Sequence, residues 1–418
     1  MIKKHTIVYI LISLIVLQIG LLLIKAGQGF HKYFLLKELN LLERYNVRDG
    51  TSDISNSTGS WVVITGASSG QGYDMALAFA KRGFNLLMIG SKRTDETQAR
   101  INLEYPEVKT KVIHKDFRQA FQDDFFSDIQ AAFDEIGTDL AILINNVGHR
   151  VGWNPYHEMD SAYIRDVIAT GTLVQTRLTH MAIPFFLARK AEHNVKSALI
   201  NITAQCMHPN FLFGITMSNE ISVPFLSVYE AANAFGFYQG NSIYKEYQGQ
   251  FDILNITPGA VITENTGCLS NTLFNVKSST FVNQIIKMLG NVQGHSCGYW
   301  GHGLSNYLIN FMPILKDGML KKVGETIAKD FMHKVQNSQE TSKYDIPKGS
   351  TLSNPKGSTL SNPKGAALSN PKGDALSNPK GAALSNPASP SSSLPSSLPS
   401  SLSSSLGLTT PTPSITPE

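Results

Sequence analysis

Between about residues 61 and 337 the sequence predicts an α/β fold, a doubly wound parallel sheet with helices on both faces. Three observations carry this. Short, nearly continuous apolar runs recur along the chain, segments with room for a helix separate them, and the first run leads into a glycine-rich turn. Strands buried on both faces read as unbroken apolar runs because neither face meets water. Parallel neighbours also need a long crossover, usually a helix.

WVVIT (61–65) is the first strand, and YDMALAFAKRG (73–83) the helix after it. NLLMIG (85–90), KVIH (111–114), LAILINN (140–146), SALINIT (197–203) and FDILNIT (251–257) are the next strands. The sequons at Asn201 and Asn255 fall inside these core strands and read as chance matches.

Two flanks differ in composition. Thr6 to Ile24 is uncharged for nineteen residues. As a helix it is about 28 Å long, close to the roughly 30 Å of a bilayer's hydrocarbon core. A cleaved signal peptide has a shorter apolar stretch, about 7–15 residues, so the expectation is a single-pass transmembrane anchor over residues 1–30. Lys3 and Lys4 before the stretch face Lys25, Lys32 and Lys37 after it, which leaves orientation open. Residues 31–60 read as a juxtamembrane linker. From residue 338 to 418 the chain carries an eight-residue repeat, in units such as PKGSTLSN, and then a Ser/Pro/Leu tract. Such units bury too little to offset their ordering entropy, which predicts a disordered tail, with an unidentified protein partner as its other reading. LSNYLINFMPIL (304–315) is too short to span a bilayer and reads as an interfacial, crevice-capping or core segment.

With 36 basic and 32 acidic side chains in 418 residues, charge is too dilute for a nucleic-acid binder. Cys206, Cys268 and Cys297 form neither a disulfide framework nor a metal site.

The turn Thr65-Gly66-Ala67-Ser68-Ser69-Gly70-Gln71-Gly72 joins the first strand to a helix. Glycines let the backbone approach a pyrophosphate, and the helix N-terminus adds donors. An acid at the end of the second strand would bond a ribose 2′-hydroxyl; this chain has Gly90-Ser91-Lys92-Arg93. The cations Lys92 and Arg93 favour a 2′-phosphate, hence NADP(H).

TGxxxGxG, Asp116 after the third strand, Asn145-Asn146-Val147-Gly148 after the fourth and a tyrosine in PFLSVY resemble the short-chain dehydrogenase/reductase family. With the anchor, they look most like its membrane-bound branch of very-long-chain 3-oxoacyl-CoA reductases and 17-beta-hydroxysteroid dehydrogenases. The resemblance covers residues 61–335 and implies a Rossmann-like fold. It implies that Gly66, Ser68, Ser69, Gly70 and Gly72 line the dinucleotide, that Asp116 bonds the adenine and that Asn145 braces the central strand. Pro258, Gly259 and Thr263 match the PGxxxT stretch that closes over the nicotinamide. It further implies an endoplasmic-reticulum membrane, a cytosolic domain, a lipid-like substrate and, by analogy, a homodimer.

At the chemical end the pattern fails. The family's tyrosine is Tyr229, but the lysine four residues later is Asn233, the reacting serine falls on Ala204 and the asparagine on Gly171. An unperturbed phenol titrates near 10, so a fixed cation beside it matters. Lys245 is about 24 Å further along the helix and cannot substitute. An insertion of about a dozen residues before Tyr229 brings Thr216 to the family's serine spacing as a substitute. His149 and His208 are alternative acids. The reading is a protein that binds NADP(H) with lost or attenuated catalysis, a pseudoenzyme acting as scaffold or sensor. The alternatives are an active NADPH-dependent reductase of a long-chain 3-oxoacyl-CoA or steroid, and an anchored protein that binds no nucleotide.

Overall fold

The computed structural model describes residues 4–47, 59–205, 210–212, 215–217, 222–266 and 270–311, with isolated positions between 318 and 329. The repeat tail, Cys206, Cys268 and His208 lie outside the described residues.

The sheet contains β1 (Trp61–Thr65), β2 (Asn85–Gly90), β3 (Thr110–His114), β4 (Leu140–Asn145), β5 (Ala198–Ile202), β8 (Asp252–Ile256) and β11 (Gly294–Ser296). Its order is β11-β8-β5-β4-β1-β2-β3, and every neighbouring pair is parallel. The order reverses beside β1, so a crevice opens at the carboxyl ends of β1 and β4, where doubly wound sheets bind ligands. This is the Rossmann-like fold. The seventh strand, β11, was not legible: Gly-His-Ser has no apolar run, and only pairing with β8 makes it a strand.

Strand alternation sorts the apolar side chains into two cores. Val62, Ile64, Leu86 and Met88 pack with α3 (Gly70–Ala80), α4 (Thr94–Glu104) and α9 (Ser278–Met288). Val63, Leu87, Ile89 and Leu143 pack on the other face with α5 (Ser127–Ile136) and α7 (Val174–His193). These strand residues are fully buried, each contributing about 1.5–3 kcal/mol. The remaining helices are α6 (Ser161–Ile168), α8 (Ser227–Glu246) and α10 (Trp300–Phe311). A π-helical turn, Ala169–Leu173, joins α6 to α7. Two small sheets complete the set: the hairpin β6 (Asn210–Leu212) and β7 (Ile215–Met217), and the pair β9 (Val261–Ile262) and β10 (Val276–Lys277).

The N-terminal helix α1 runs from Lys4 to Phe30 and continues as a π-helical turn to Leu35. Ile12–Leu35 is, among the described residues, the one stretch long and apolar enough to cross a membrane. The expectation of a linker over 31–60 needs correction for its first half. Leu41 and Tyr45, in the short helix α2 (Leu41–Tyr45), belong to the domain core. The Tyr45 hydroxyl donates to Asp252 Oδ2 at 2.6 Å, and Arg44 Nε donates to the same oxygen at 2.7 Å. Burial opposes ionisation of Asp252, and the hydrogen bonds from Arg44 and Tyr45 outweigh it, leaving the pKa below the ordinary carboxylate value. The buried guanidinium of Arg189 donates to the carbonyls of Thr138 and Tyr45 and to Ser60 Oγ, tying this segment to the first strand. Sequence could not show this, because the partners are about 140–210 positions away.

Candidate functional site

The crevice is built first by backbone. Gly66 and Gly70 have φ of 70° and 56°, in the left-handed region that favours glycine. Gly72 backs directly on the Gly66 carbonyl, so any side chain there would force the turn open. Asn146 holds this turn: its Nδ2 donates to Thr65 O at 2.9 Å. The Thr65 hydroxyl in turn accepts from the amides of Asn146 and Val147 at 2.9 and 3.0 Å. Sequence reasoning quoted Asn146 without giving it this role; its place beside Asn145 was the available signal.

Asn145 is bonded to two neighbouring elements. Its Nδ2 donates to Thr179 Oγ1 on α7 and to Asn201 Oδ1 on β5, both at 2.9 Å. Asn201 Nδ2 donates to Asn255 Oδ1 on β8 at 2.9 Å. This asparagine row crosses three strands in register. It also occupies both sequon asparagines, which are buried.

The residues present fit a dinucleotide. Ser69, at the N-cap of α3, makes no side-chain cap, so the helix-terminal amides keep their donors. Gly90 leaves open the space bounded by the Thr94 hydroxyl and the amides of Ala67 and Ser68. The Thr94 hydroxyl is buried there without a hydrogen-bond partner. On the far wall, the Thr263 methyl packs against Gly70, and Gly259 has no room for a side chain between His302 and Gln205. The Pro258 carbonyl accepts from the Gln205 amide at 2.9 Å. Loop 258–266 thus lies across the start of α3.

The basic turn has a partner that sequence could not foresee. Arg93 forms a two-pronged ion pair with Glu264, Nη1 to Oε2 at 2.8 Å and Nη2 to Oε1 at 3.1 Å. Lys92 is exposed beside it. Asp116 accepts from the amide and guanidinium of Arg118, whose side chain holds its carboxyl below the ordinary range against a smaller burial effect.

Helix α8 packs beside the carboxyl end of β5 and against the π-helical turn. Tyr229 and Asn233 lie on α8, half-buried. Asn233 Nδ2 donates to the Tyr229 carbonyl at 2.8 Å, so its amide is engaged within its own helix. Gly171, in the π-helical turn, faces the Ala232 methyl, which a Cβ would approach to 3.0 Å. One turn on, Gly236 stands against Thr203, which precedes Ala204. Lys245 is exposed near the far end of α8. Thr216 lies in β7 opposite Phe211, and its side chain lies outside the described residues. His149 Nδ1 is 3.0 Å from the Arg150 carbonyl, and its ring meets Tyr163 edge-on.

Sequence reasoning missed Glu230. It lines a cavity of about 470 Å³ with Ser222, Val223, Pro224 and Ser227. Burial pushes its carboxyl up to about 7, and the Val223 amide, donating at 2.9 Å, offsets part of that. Its position next to Tyr229 was the only signal.

A seven-stranded parallel sheet, a glycine turn at its switch point and a tyrosine-bearing helix beside β5 define a dinucleotide-dependent dehydrogenase. The short chain dehydrogenase family pattern matches residues 60–272, half of the chain, and the chain belongs to that family. It is 26% identical over 261 residues to the very-long-chain 3-oxoacyl-CoA reductase of Mus musculus, covering 61% of this chain and 76% of that one. A solved 7beta-hydroxysteroid dehydrogenase shares the fold at a TM-score of 0.51 and 19% identity, over 64% of this chain and 93% of that one. A short-chain dehydrogenase from Sphingobium yanoikuyae, solved in complex with NADPH, aligns at a TM-score of 0.47 and 22% identity, over 57% of this chain and 87% of that one.

Proposed function

We propose that the chain is a membrane-anchored, NADPH-dependent reductase of a lipid ketone, with a long-chain 3-oxoacyl thioester as the first substrate to test and a steroid ketone as the second. The single observation that supports it most is the intact dinucleotide cradle from Gly66 to Thr263, leading to Tyr229, in a chain related to 3-oxoacyl-CoA reductases. When bound, NADPH supplies hydride. Gly66, Ser68, Ser69, Gly70 and Gly72 would hold its pyrophosphate, Lys92 and Arg93 its 2′-phosphate and Asp116 its adenine, and loop 258–266 would cover the nicotinamide end. Tyr229 donates a proton to the substrate carbonyl oxygen. A phenol is protonated at neutral pH, so donation needs no cation, although a cation would speed it by stabilising the phenolate left behind. In this reading α1 holds the domain on the cytosolic face of the endoplasmic reticulum.

A second reading, nucleotide binding with attenuated chemistry, is favoured by the uncharged Asn233 four residues after Tyr229, its amide bonded to the Tyr229 carbonyl. One experiment separates the two. The full chain in detergent is first tested for NADPH binding by its rise in melting temperature, then for NADPH consumption with a long-chain 3-oxoacyl-CoA and a steroid ketone. The reductase reading expects turnover that Tyr229→Phe abolishes and Asn233→Lys raises by about tenfold or more. Binding without turnover on either substrate establishes the second reading, and no melting shift removes both.

A further inference from the structure

Large apolar side chains are exposed where α1 meets the domain. Phe30 and Phe34 are 56% and 55% exposed, Leu273 and Phe274 47% and 39%, and Leu304 37%. Contacts join these residues into one surface. The rings of Phe30 and Phe34 are 5.2 Å apart, and those of Phe34 and Trp300 5.9 Å. The Leu273 carbonyl abuts Gly301, and Leu304 is one turn beyond Trp300 on α10. The surface is continuous with α1, whose Tyr9, Ile12, Leu17, Leu23 and Ile24 are also exposed.

We infer that this face, centred on Phe34, Trp300 and the Leu273–Phe274 turn, rests in the interfacial layer of the bilayer that takes up α1. Continuity favours lipid as the occupant. Four residues of helix, about 6 Å, separate Phe30 from Phe34, and the interfacial layer is about 5–8 Å deep on each side. A bilayer that holds α1 to its end therefore reaches Phe34 and, through it, Trp300. Indole and phenyl rings partition well into that layer.

The stem makes the contact obligatory. Lys32 Nζ donates to His295 O at 3.2 Å, covering the exposed edge of β11. Tyr33 packs against Gly303, and Asn291 Nδ2 donates to Lys37 O at 2.8 Å. Glu38 pairs with Arg82 at 2.6 Å and Arg44 with Asp252 at 2.7 Å. A free tether would let the domain swing off the bilayer; a stem docked along its length fixes the face that meets lipid. The Leu273–Phe274 turn lies between β9 and β10, in the same excursion that carries Thr263 against Gly70. Lipid contact and the dinucleotide loop thus share one segment.

The inference rests on α1 being a bilayer anchor, and the test separates the two. The full chain is reconstituted into phosphatidylcholine vesicles with dibrominated acyl chains, which quench tryptophan on contact, and flotation is measured alongside. The chain has Trp61, Trp153 and Trp300. The expected result is co-flotation with partial quenching of the wild type, and that quenched component missing in Trp300→Phe. Leu304→Trp, at an exposed position, adds a quenched emitter and serves if Trp300→Phe misfolds. Co-flotation with Trp300 and the Leu304→Trp emitter both unquenched overturns the face while leaving the anchor. That includes the case in which a second copy covers the face. Failure to float overturns both.

Discussion

Arg93 and Glu264 show how one side chain can gate a charge preference. Both are more than half exposed, so their pair contributes little to stability. On the proposed assignment of Arg93 to the 2′-phosphate, its effect falls on the guanidinium, which must leave Glu264 to serve that group. Glu264→Gln should therefore tighten NADPH binding about two- to fivefold, the equivalent of a surface pair's 0.3–1 kcal/mol. NADH affinity should not move; equal gains for both nucleotides in titration calorimetry would refute the role of Arg93. Glu230 gives a pH prediction. Its carboxyl titrates at about 7 in the fold against 4.5 unfolded, because burial disfavours the charged form. A raised folded value means the protonated form is favoured by folding. This contribution to stability is complete below about pH 4.5 and is lost as pH rises through about 7. Glu230→Gln keeps an acceptor for the Val223 amide and removes the titration. Melting curves from pH 4 to 8 should show the variant gaining on the wild type as pH rises; parallel curves would contradict the assignment.

At the scale of elements, helix packing at the site depends on residues too small to keep the helices apart. Gly171 meets Ala232, and Gly236 meets Thr203 and Gln175, so the π-helical turn and α8 approach closely where the family's asparagine and lysine would stand. The same logic operates at the stem, where α2 is only five residues long and could not persist alone. It is held by Tyr45, Arg44 and Asp252. Tyr45→Phe deletes the hydroxyl that donates to Asp252 while preserving the buried ring, and should cost about 1–2 kcal/mol in denaturant unfolding. A change below about 0.3 kcal/mol would mean that Arg44, Lys196 and Gln293 satisfy Asp252 without it.

Across the whole molecule, the sheet joins a cofactor crevice at its carboxyl ends to a stem along its β11 edge. The row Asn145–Asn201–Asn255 carries polar order through the sheet, and Asn255 faces β11, which the stem covers. The docked stem places the domain at a fixed attitude to α1.

Strand sites, the glycine turn and the helix that carries Tyr229 were legible in the sequence because each is a local signal. Apolar runs and crossover lengths reflect burial on both faces, and glycines mark backbone that a side chain would obstruct. Asn233 and Ala204 stand out from the family's pattern for the same reason, as single positions in a short motif. Their consequence was not legible, since whether Asn233 serves a cofactor or its own helix depends on where its amide points. The binding of residues 31–46 into the core, the Arg93–Glu264 pair, the raised carboxyl of Glu230 and the strand β11 were decided only by the tertiary structure. Each depends on groups that chain folding brings together from distant positions, and burial, pairing and charge at such contacts leave no periodicity along the chain.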